Sequence, residues 1–310
     1  MSGTYSFTFE GQGALRGVQS YLRAIGDLWR LDGNRRTARI ARFLLRTGKN
    51  PVALFRWLDL IHHRPELKFW STHSPRLFIK PSRHYISRAY RFRERATRIE
   101  SHYVLLDSLV SRVTIEALAT SQLIPLAEFY GKSGDLYQIV IRKTDKFDRE
   151  GELGLVLLNA TQHRAIYYLI FSLNTVHGER NMEIGCLQGG KGPDSAELIK
   201  AATKDALGNR PKMLLTEALY VLANAWGIRN IYGIANEFRI FNSSRTYADY
   251  DAFWSEIGGH AEKTGMYRLP QQIRHRDAAE TESKHRSAHR KKMAILEATK
   301  LDVASSLGGL

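Results

Sequence analysis

The sequence predicts an α+β chain: a helical N-terminal region, residues 1–125, packed on a mixed β-sheet with flanking helices, residues 126–310. Three features carry that expectation. Apolar residues recur at helical spacing as far as about Gln122, and β-rich runs dominate after Tyr130. Between them in character is the continuous run Met182–Gln188, which stops in a glycine loop and restarts as helix, the pattern of a central strand buried on both faces.

The N-terminal elements follow from periodicity and punctuation. In the first, Val18, Tyr21, Leu22, Ile25 and Trp29 share one face. The second opens at Asn34 and stops at Gly48, with Arg35, Arg39, Arg42 and Arg46 forming a cationic stripe. A third starts with Pro51 in its first turn and closes before Pro65. Ser71 to Tyr85 is broken by prolines and forms no regular element, whereas helical spacing returns through Tyr90, Ala96, Ile99 and Tyr103.

The C-terminal half alternates differently. "DLYQIVIRKT", "GELGLVLLNATQ" and "RAIYYLIFSLN" form an antiparallel meander, and "NMEIGCLQGG" supplies the central strand. Helices are expected over "SAELIKAATKDAL" and "NRPKMLLTEALYVLANAWGI", the latter with Asn209 near its cap and Pro211 in its first turn. A short strand, Asn230 to Ala235, follows, then "YDAFWSEIGG", a last strand at "MYRLPQQI", and a charged helix from Asp277 to about Val303.

Composition narrows the function classes. The chain of 310 residues has 46 Lys plus Arg against 31 Asp plus Glu, a formal charge of +15 that favours polyanionic surroundings such as nucleic acid, anionic lipid surfaces or a phosphorylated substrate. A single cysteine, Cys186, rules out an intrachain disulfide and a cysteine-based zinc site. His285 and His289 stand one helical turn apart without the acidic partner of a zinc-hydrolase motif, so no metal is expected. No basic segment leads into an apolar core at the N-terminus, and no apolar stretch reaches the ~18–20 residues that span a bilayer. A cytoplasmic protein without a transmembrane segment is expected.

The order of elements, with several antiparallel strands, a strand ending at Gln188, helix, strand, short helix and strand, resembles the Gcn5-related acetyltransferase-like fold. The resemblance implies two parallel strands that splay apart, with a donor's arm on the unpaired backbone and its phosphates at a helix start, where unpaired N–H groups accumulate. Carried onto this chain, the donor site comprises Gln188, Gly189, Gly190, Arg210 and Lys212. The donor is acyl-CoA, or aminoacyl-tRNA, whose RNA would suit the basic charge. Direct transfer needs an acid and a base: Tyr247 or Tyr250 is placed to protonate the leaving group, Glu237 to take the acceptor's proton, and Asn236 to orient the acceptor. Arg239, Asn242, Arg245, Asp251 and Trp254, in the polar segment after a strand's carboxyl end, are the candidate contacts to a peptide, protein or envelope-related amine acceptor. The extra helix "SAELIKAATKDAL" departs from the usual single helix of that fold.

Longer phrases are more specific. "HSPRLFIKPSRHYIS" from His73, "EIGCLQGG", "IKAATKDALGNRPKMLL", "WGIRNIYGIAN", "YDAFWSEIGG", "YRLP" and "SKHRSAHRKK" from Ser283 resemble the VirK/YbjX-like family of bacterial proteins, in that order, from about Trp57 to Lys292. That likeness implies a cytoplasmic bacterial protein tied in some members to virulence and antimicrobial-peptide tolerance, and it assigns no reaction. The alternative to a transferase is therefore a non-catalytic basic protein that docks RNA, lipid or a protein partner.

Overall fold

The computed structural model describes residues 51–190, 192–241, 249–275 and 285–310, together with positions 19, 22, 25, 26 and 45. The helical stretches expected before Pro51, with their arginine stripe, lie outside the described residues except at those five positions. The chain separates into two compact units: residues up to Arg83 with Arg91–Tyr103, and His84–Tyr90 with Val104–Leu310. The boundary expected at 125/126 falls inside the second unit, because the chain from His84 to Tyr90 and from Val104 onward packs with the sheet.

In the first unit, α1 (Pro51–His63) and α2 (Pro65–His73) each begin with proline, whose missing N–H costs nothing in a first turn. Leu54, Trp57, Leu58 and Ile61 recur on one face of α1 and are buried. The proline-broken stretch becomes 3₁₀ turns over Pro75–Ser82, and the Trp57 indole donates to the Leu77 carbonyl at 3.0 Å. Helix α3 (Phe92–Leu109) gives its residues up to Tyr103 to this unit, with Glu100 paired to Arg64 at 3.2 Å.

The second unit holds α4 (Arg112–Ala119), capped by the Ser111 hydroxyl, and an eight-stranded, mostly antiparallel sheet. Its strands are β1 (Ile124–Tyr130), β2 (Leu136–Lys143), β3 (Leu153–Asn159), β4 (Arg164–Val176), β5 (Glu179–Gly189), β6 (Asn230–Ile234), β7 (His260–Ala261) and β8 (Met266–Arg268). They run β1-β2-β3-β4-β5-β6-β8-β7. The meander β2-β3-β4 and the central placement of β5 match the expectation from sequence. Strand β1 and the two-residue β7 were not foreseen. Helices α5 (Ser195–Asp205) and α6 (Pro211–Ala225) link β5 to β6, as their periodicity predicts. Helix α7 (Tyr250–Glu256) precedes β7, and α8 (Arg286–Ser306) packs on α6 and β1. Leu214, Leu215, Ala218, Leu219 and Leu222 of α6 are fully buried, and the helix packs on β3, β4 and β5.

Among the described residues only β5 and β6 are parallel, and they pair over four positions, Asn181↔Asn230 to Ile184↔Gly233. Beyond Ile184, β5 continues to Gly189 paired to β4 alone. At this point β5 carries a bulge: Ile170 faces Cys186 and Phe171 faces Ile184, so Gly185 is the extra residue. A Cβ at Gly185 would collide with the Glu150 carbonyl oxygen, so the close approach of that backbone requires glycine.

One face of the sheet centre is polar. Ser172, Glu183, Tyr232 and Arg268 lie in register across β4, β5, β6 and β8. Two residues along, the Arg268 guanidinium donates to Asn230 Oδ1 (2.7 Å), Asn230 Nδ2 to Asn181 Oδ1 (2.8 Å), and Asn181 Nδ2 to Asn174 Oδ1 (3.4 Å).

Candidate functional site

The edge of β5 released at the bulge is where the elements bearing the sequence-predicted residues converge. After β6 the chain makes a 3₁₀ turn, Asn236–Phe238, and returns at Asp249 to start α7. Asn236 fastens the two ends. Its backbone N–H donates to Asp251 Oδ1 (2.8 Å), its Nδ2 to Asp249 Oδ1 (2.7 Å), and its Oδ1 accepts from the Tyr250 N–H (3.0 Å). Asp249 also caps α7 by accepting from Ala252 N–H at 3.1 Å. These two bonds, that from Ala252 first, hold its carboxyl below the usual carboxylate range.

The clasp aims Tyr250 at the open edge. Its hydroxyl accepts from the Leu187 N–H at 2.8 Å and lies 3.7 Å from Cys186 Sγ. The ring is buried, with the Arg239 guanidinium 4.4 Å from its centroid. Burial, reinforced by the neighbouring Cys186, pushes the Tyr250 phenol well above its ordinary value and keeps it a proton carrier at neutral pH. Burial likewise raises the Cys186 thiol, with Glu150 adding to the effect, so this cysteine stays protonated.

Of the expected catalytic residues, Tyr250 and Asn236 are therefore brought together, with Asn236 acting through backbone and side-chain bonds on Tyr250. Glu237 sits exposed on the 3₁₀ turn. Among the expected acceptor contacts, Arg239 and Asp251 join the cluster. Trp254 is wholly buried, its indole donating to the Ile234 carbonyl at 2.9 Å, which makes it packing between α7 and β6. Tyr247, Asn242 and Arg245 lie outside the described residues.

The expected phosphate residues divide. Gln188 and Gly189 still pair with Tyr168 and Tyr167 of β4, and the Gly190 N–H donates to the Ile166 carbonyl. A Cβ on Gly189 would lie 2.5 Å from Ile199 Cδ1 of α5. The glycines thus let the inserted helix pack close to the sheet. Beside Gly190, a cleft of about 250 Å³ opens, lined by His163, Arg164, Tyr168, Asp194 and Ser195, with Arg164 paired to Asp194 at 2.6 Å. Arg210 and Lys212 stand at the start of α6, and Arg210 forms a two-pronged pair with Glu256, one prong 3.1 Å long.

Sequence reasoning missed the buried acids of the polar face. Tyr90 donates to Glu183 Oε1 at 3.2 Å, and Tyr85 and Ser172 share a 2.7 Å hydrogen bond beside Glu152. Burial first, then the charge of Glu152, drives the Tyr85 phenol well above its usual value. Glutamates inside strand-like runs were the available signal, since a buried carboxylate must be paired or hydrogen-bonded.

Among the described residues no helix is long and apolar enough to cross a membrane, and no group of three His, Cys, Asp or Glu side chains is placed to hold a metal ion.

Comparison with known proteins agrees with the phrase-level likeness. The model of a family described as "Protein of unknown function (DUF535)" matches residues 32–305. An uncharacterized protein of Escherichia coli K12, YbjX, is 30% identical over 291 residues, covering 92% of this chain and 86% of its own. An uncharacterized protein of Haemophilus influenzae is 27% identical over 214 residues, 68% of this chain and 70% of its own. No solved structure matches the chain. Matched along nearly its whole length by one family model, and by a relative that it covers almost as fully, the chain belongs to the DUF535 family of YbjX/VirK-like proteins.

Proposed function

We propose that the chain is an acyl- or aminoacyl-transferase-like protein that moves an acyl group from a phosphorylated carrier, acyl-CoA or aminoacyl-tRNA, to an amine of a peptide or envelope-related acceptor. One observation carries the reading. Strand β5 outruns its parallel partner β6 at the Gly185 bulge, and the freed edge meets a buried tyrosine instead of a strand. Such an edge offers backbone donors and acceptors in a row to an extended arm, as an added strand would use them. This parting of a parallel pair is also what likeness to the acetyltransferase-like fold implies.

In this reading the carrier's arm lies along Gly185–Gly189, and its carbonyl oxygen takes over the Leu187 N–H from the Tyr250 hydroxyl. The acceptor nitrogen attacks the carbonyl carbon, and the C–S or C–O bond to the carrier breaks. The amine proton passes to Glu237 at the rim, and the displaced Tyr250 hydroxyl gives its proton to the departing sulfur or oxygen. The phenolate then recovers a proton from water and Glu237 loses one to it. Asn236, Asp249 and Asp251 position Tyr250, and Arg239 holds its ring.

A second reading has its own observation. Tyr250 is only 3% exposed and already satisfies Leu187, so the edge is plugged. A non-catalytic member of such a fold would look this way and use its basic surface to dock RNA, lipid or a protein partner.

Thermal melting against a panel of acyl-CoAs and charged tRNA separates the two. A carrier present at about one hundred times its Kd raises stability by about 2.7 kcal/mol, and radiolabel then moves to an amine. No shift from any acyl-CoA, with uncharged RNA binding as tightly as charged and with steep salt dependence, leaves the docking reading.

A further inference from the structure

At the start of α6, cations crowd one corner of the second unit. Arg210 opens α6, and Lys212 follows with Nζ 4.4 Å from the Phe253 ring centroid. Helix α8 brings a third: the Asn209 amide donates to the Lys292 carbonyl at 2.8 Å, and a Cβ on Gly208 would lie 4.0 Å from Lys292 Cδ.

Two carboxylates face these cations, and one is already committed. Asp249 is held by the Ala252 N–H and the Asn236 amide. The other is Glu256, bound by both prongs of Arg210. Its carboxyl sits below the usual range, first through the Arg210 hydrogen bond, with Lys212 and Lys292 adding to the pull. Lys212 is drawn down first by burial and then by repulsion from Arg210, while Glu256 and Asp249 pull it the other way.

Three cations thus face two carboxylates, of which Asp249 is spent on the α7 clasp and Glu256 alone offers the cations two oxygens. A phosphate monoester brings nearly two charges and three acceptor oxygens, and the arginine fork accepts either group. The side chains of Arg210 and Glu256 are 40% and 45% exposed, so solvent screens their pair and an incoming anion meets little resistance.

We propose that the corner formed by Arg210, Lys212 and Lys292 binds a phosphomonoester or pyrophosphate group, and that Glu256 fills this seat as an internal competitor until the ligand arrives. The seat deepens the transferase reading and rests on it only for the carrier's identity; the glycine loop, packed under α5, takes no part.

Calorimetric titration of the full chain with inorganic pyrophosphate at low salt tests the seat. The wild type binds, Glu256→Gln binds about fivefold tighter because the competing pair is gone, and Arg210→Ala and Lys292→Ala bind at least about tenfold weaker. Arg229→Ala, a cation beyond the far end of α6, stays within about twofold of wild type. Glu256→Ala repeats the measurement without the residual amide contact to Arg210. Pyrophosphate affinity that is unchanged or weaker in both Glu256 variants overturns the competitor, and Arg210 and Lys292 variants that match Arg229→Ala overturn the seat. Parallel titrations with acetyl-CoA and with charged tRNA separate the sources of the phosphate. If the pyrophosphate pattern holds while neither carrier binds or donates, the transferase reading falls and the seat stands. If a carrier binds and donates while the Arg210 and Lys292 variants match Arg229→Ala, the transferase reading stands and the seat falls.

Discussion

The Tyr250 hydroxyl accepts the backbone N–H of Leu187 at 2.8 Å, although 63 residues separate the two in the chain. A side chain from α7 thereby does on β5 what a strand would do, closing an edge that β6 leaves open after Ile184. Both groups are buried, so neither has water as an alternative partner.

Tyr250→Phe keeps the ring and strands the Leu187 donor. Loss of a buried partner costs about 1–3 kcal/mol, and a urea midpoint lowered by that amount at unchanged slope is expected. Transfer to an amine should fall as well, while carrier affinity holds or tightens because no hydroxyl competes for the Leu187 N–H. An unchanged midpoint would mean the bond does not form in solution.

Gly185→Ala tests the bulge. Its methyl would meet the Glu150 carbonyl, and overpacking of this sort costs about 1–3 kcal/mol. The same substitution at Gly178, which has open space around its Cβ position but a positive φ of 81°, serves as a comparison for backbone strain without collision. A greater loss in chemical denaturation at 185 than at 178 is the expected order.

Asp249→Ala removes the α7 cap and the bond to Asn236 together. Cap losses run to about 0.5–2 kcal/mol, and the larger consequence should be on Tyr250, which hangs from the same clasp. Near-ultraviolet circular dichroism of the Tyr250–Trp254 pair should weaken in this variant more than overall helix content does; equal losses would argue that the clasp positions nothing.

Two glutamates are candidates for the base of the proposed transfer. Glu237 stands exposed after β6, and Glu183 is buried on β5 with Tyr90 on it. Glu237→Gln should lower turnover at least about tenfold with melting unchanged, whereas Glu183→Gln should chiefly alter stability. If Glu183→Gln alone stops transfer in a folded protein, the assignment moves from the rim to the sheet.

Alkaline pH should unfold the chain in a characteristic way. Tyr137 is pushed up to about 12 by burial and then by Asp205, and Tyr85 and Tyr250 are raised by burial as well. Phenols whose folded values lie above the unfolded one near 10 bind protons more tightly when folded. Their contribution is complete below pH 10 and is lost as pH climbs through the folded values. Tyrosinate absorbance should therefore rise steeply together with loss of helix above pH 10; a smooth rise with helix intact would place these rings in solvent.

Much of this was legible in the chain. The meander, the central β5, the helix started by Pro211 and the short strand after "GIRN" announced themselves through periodicity and punctuation. Strand β1 did not, because Pro125 and the brevity of "IPLAEFY" read as a boundary; at a sheet edge a proline near the strand start costs no ladder bond. The two residues of β7 carry no period at all. At the site, Tyr250 and Asn236 stood out from their place after a strand, but two partners that fix them, Leu187 and Asp249, act through a backbone group and a folded-back contact without a local signature. Gly189 and Gly190 are ambiguous in sequence: small residues before a helix suit an anion, and equally suit a helix that must pack close, as Ile199 does on Gly189.

Arginine has donors and no acceptor, and this gives the amide series ending at Arg268 a direction. Asn230 must turn its oxygen to the guanidinium and its nitrogen to Asn181, which must do the same toward Asn174. The last hairpin, only a few residues of strand, therefore sets the direction for the three strands inboard of it that carry these amides. A one-residue slip of β8 would swing the guanidinium to the opposite face and leave three amides without a common sense. For that hairpin there is one alignment in which the whole series agrees.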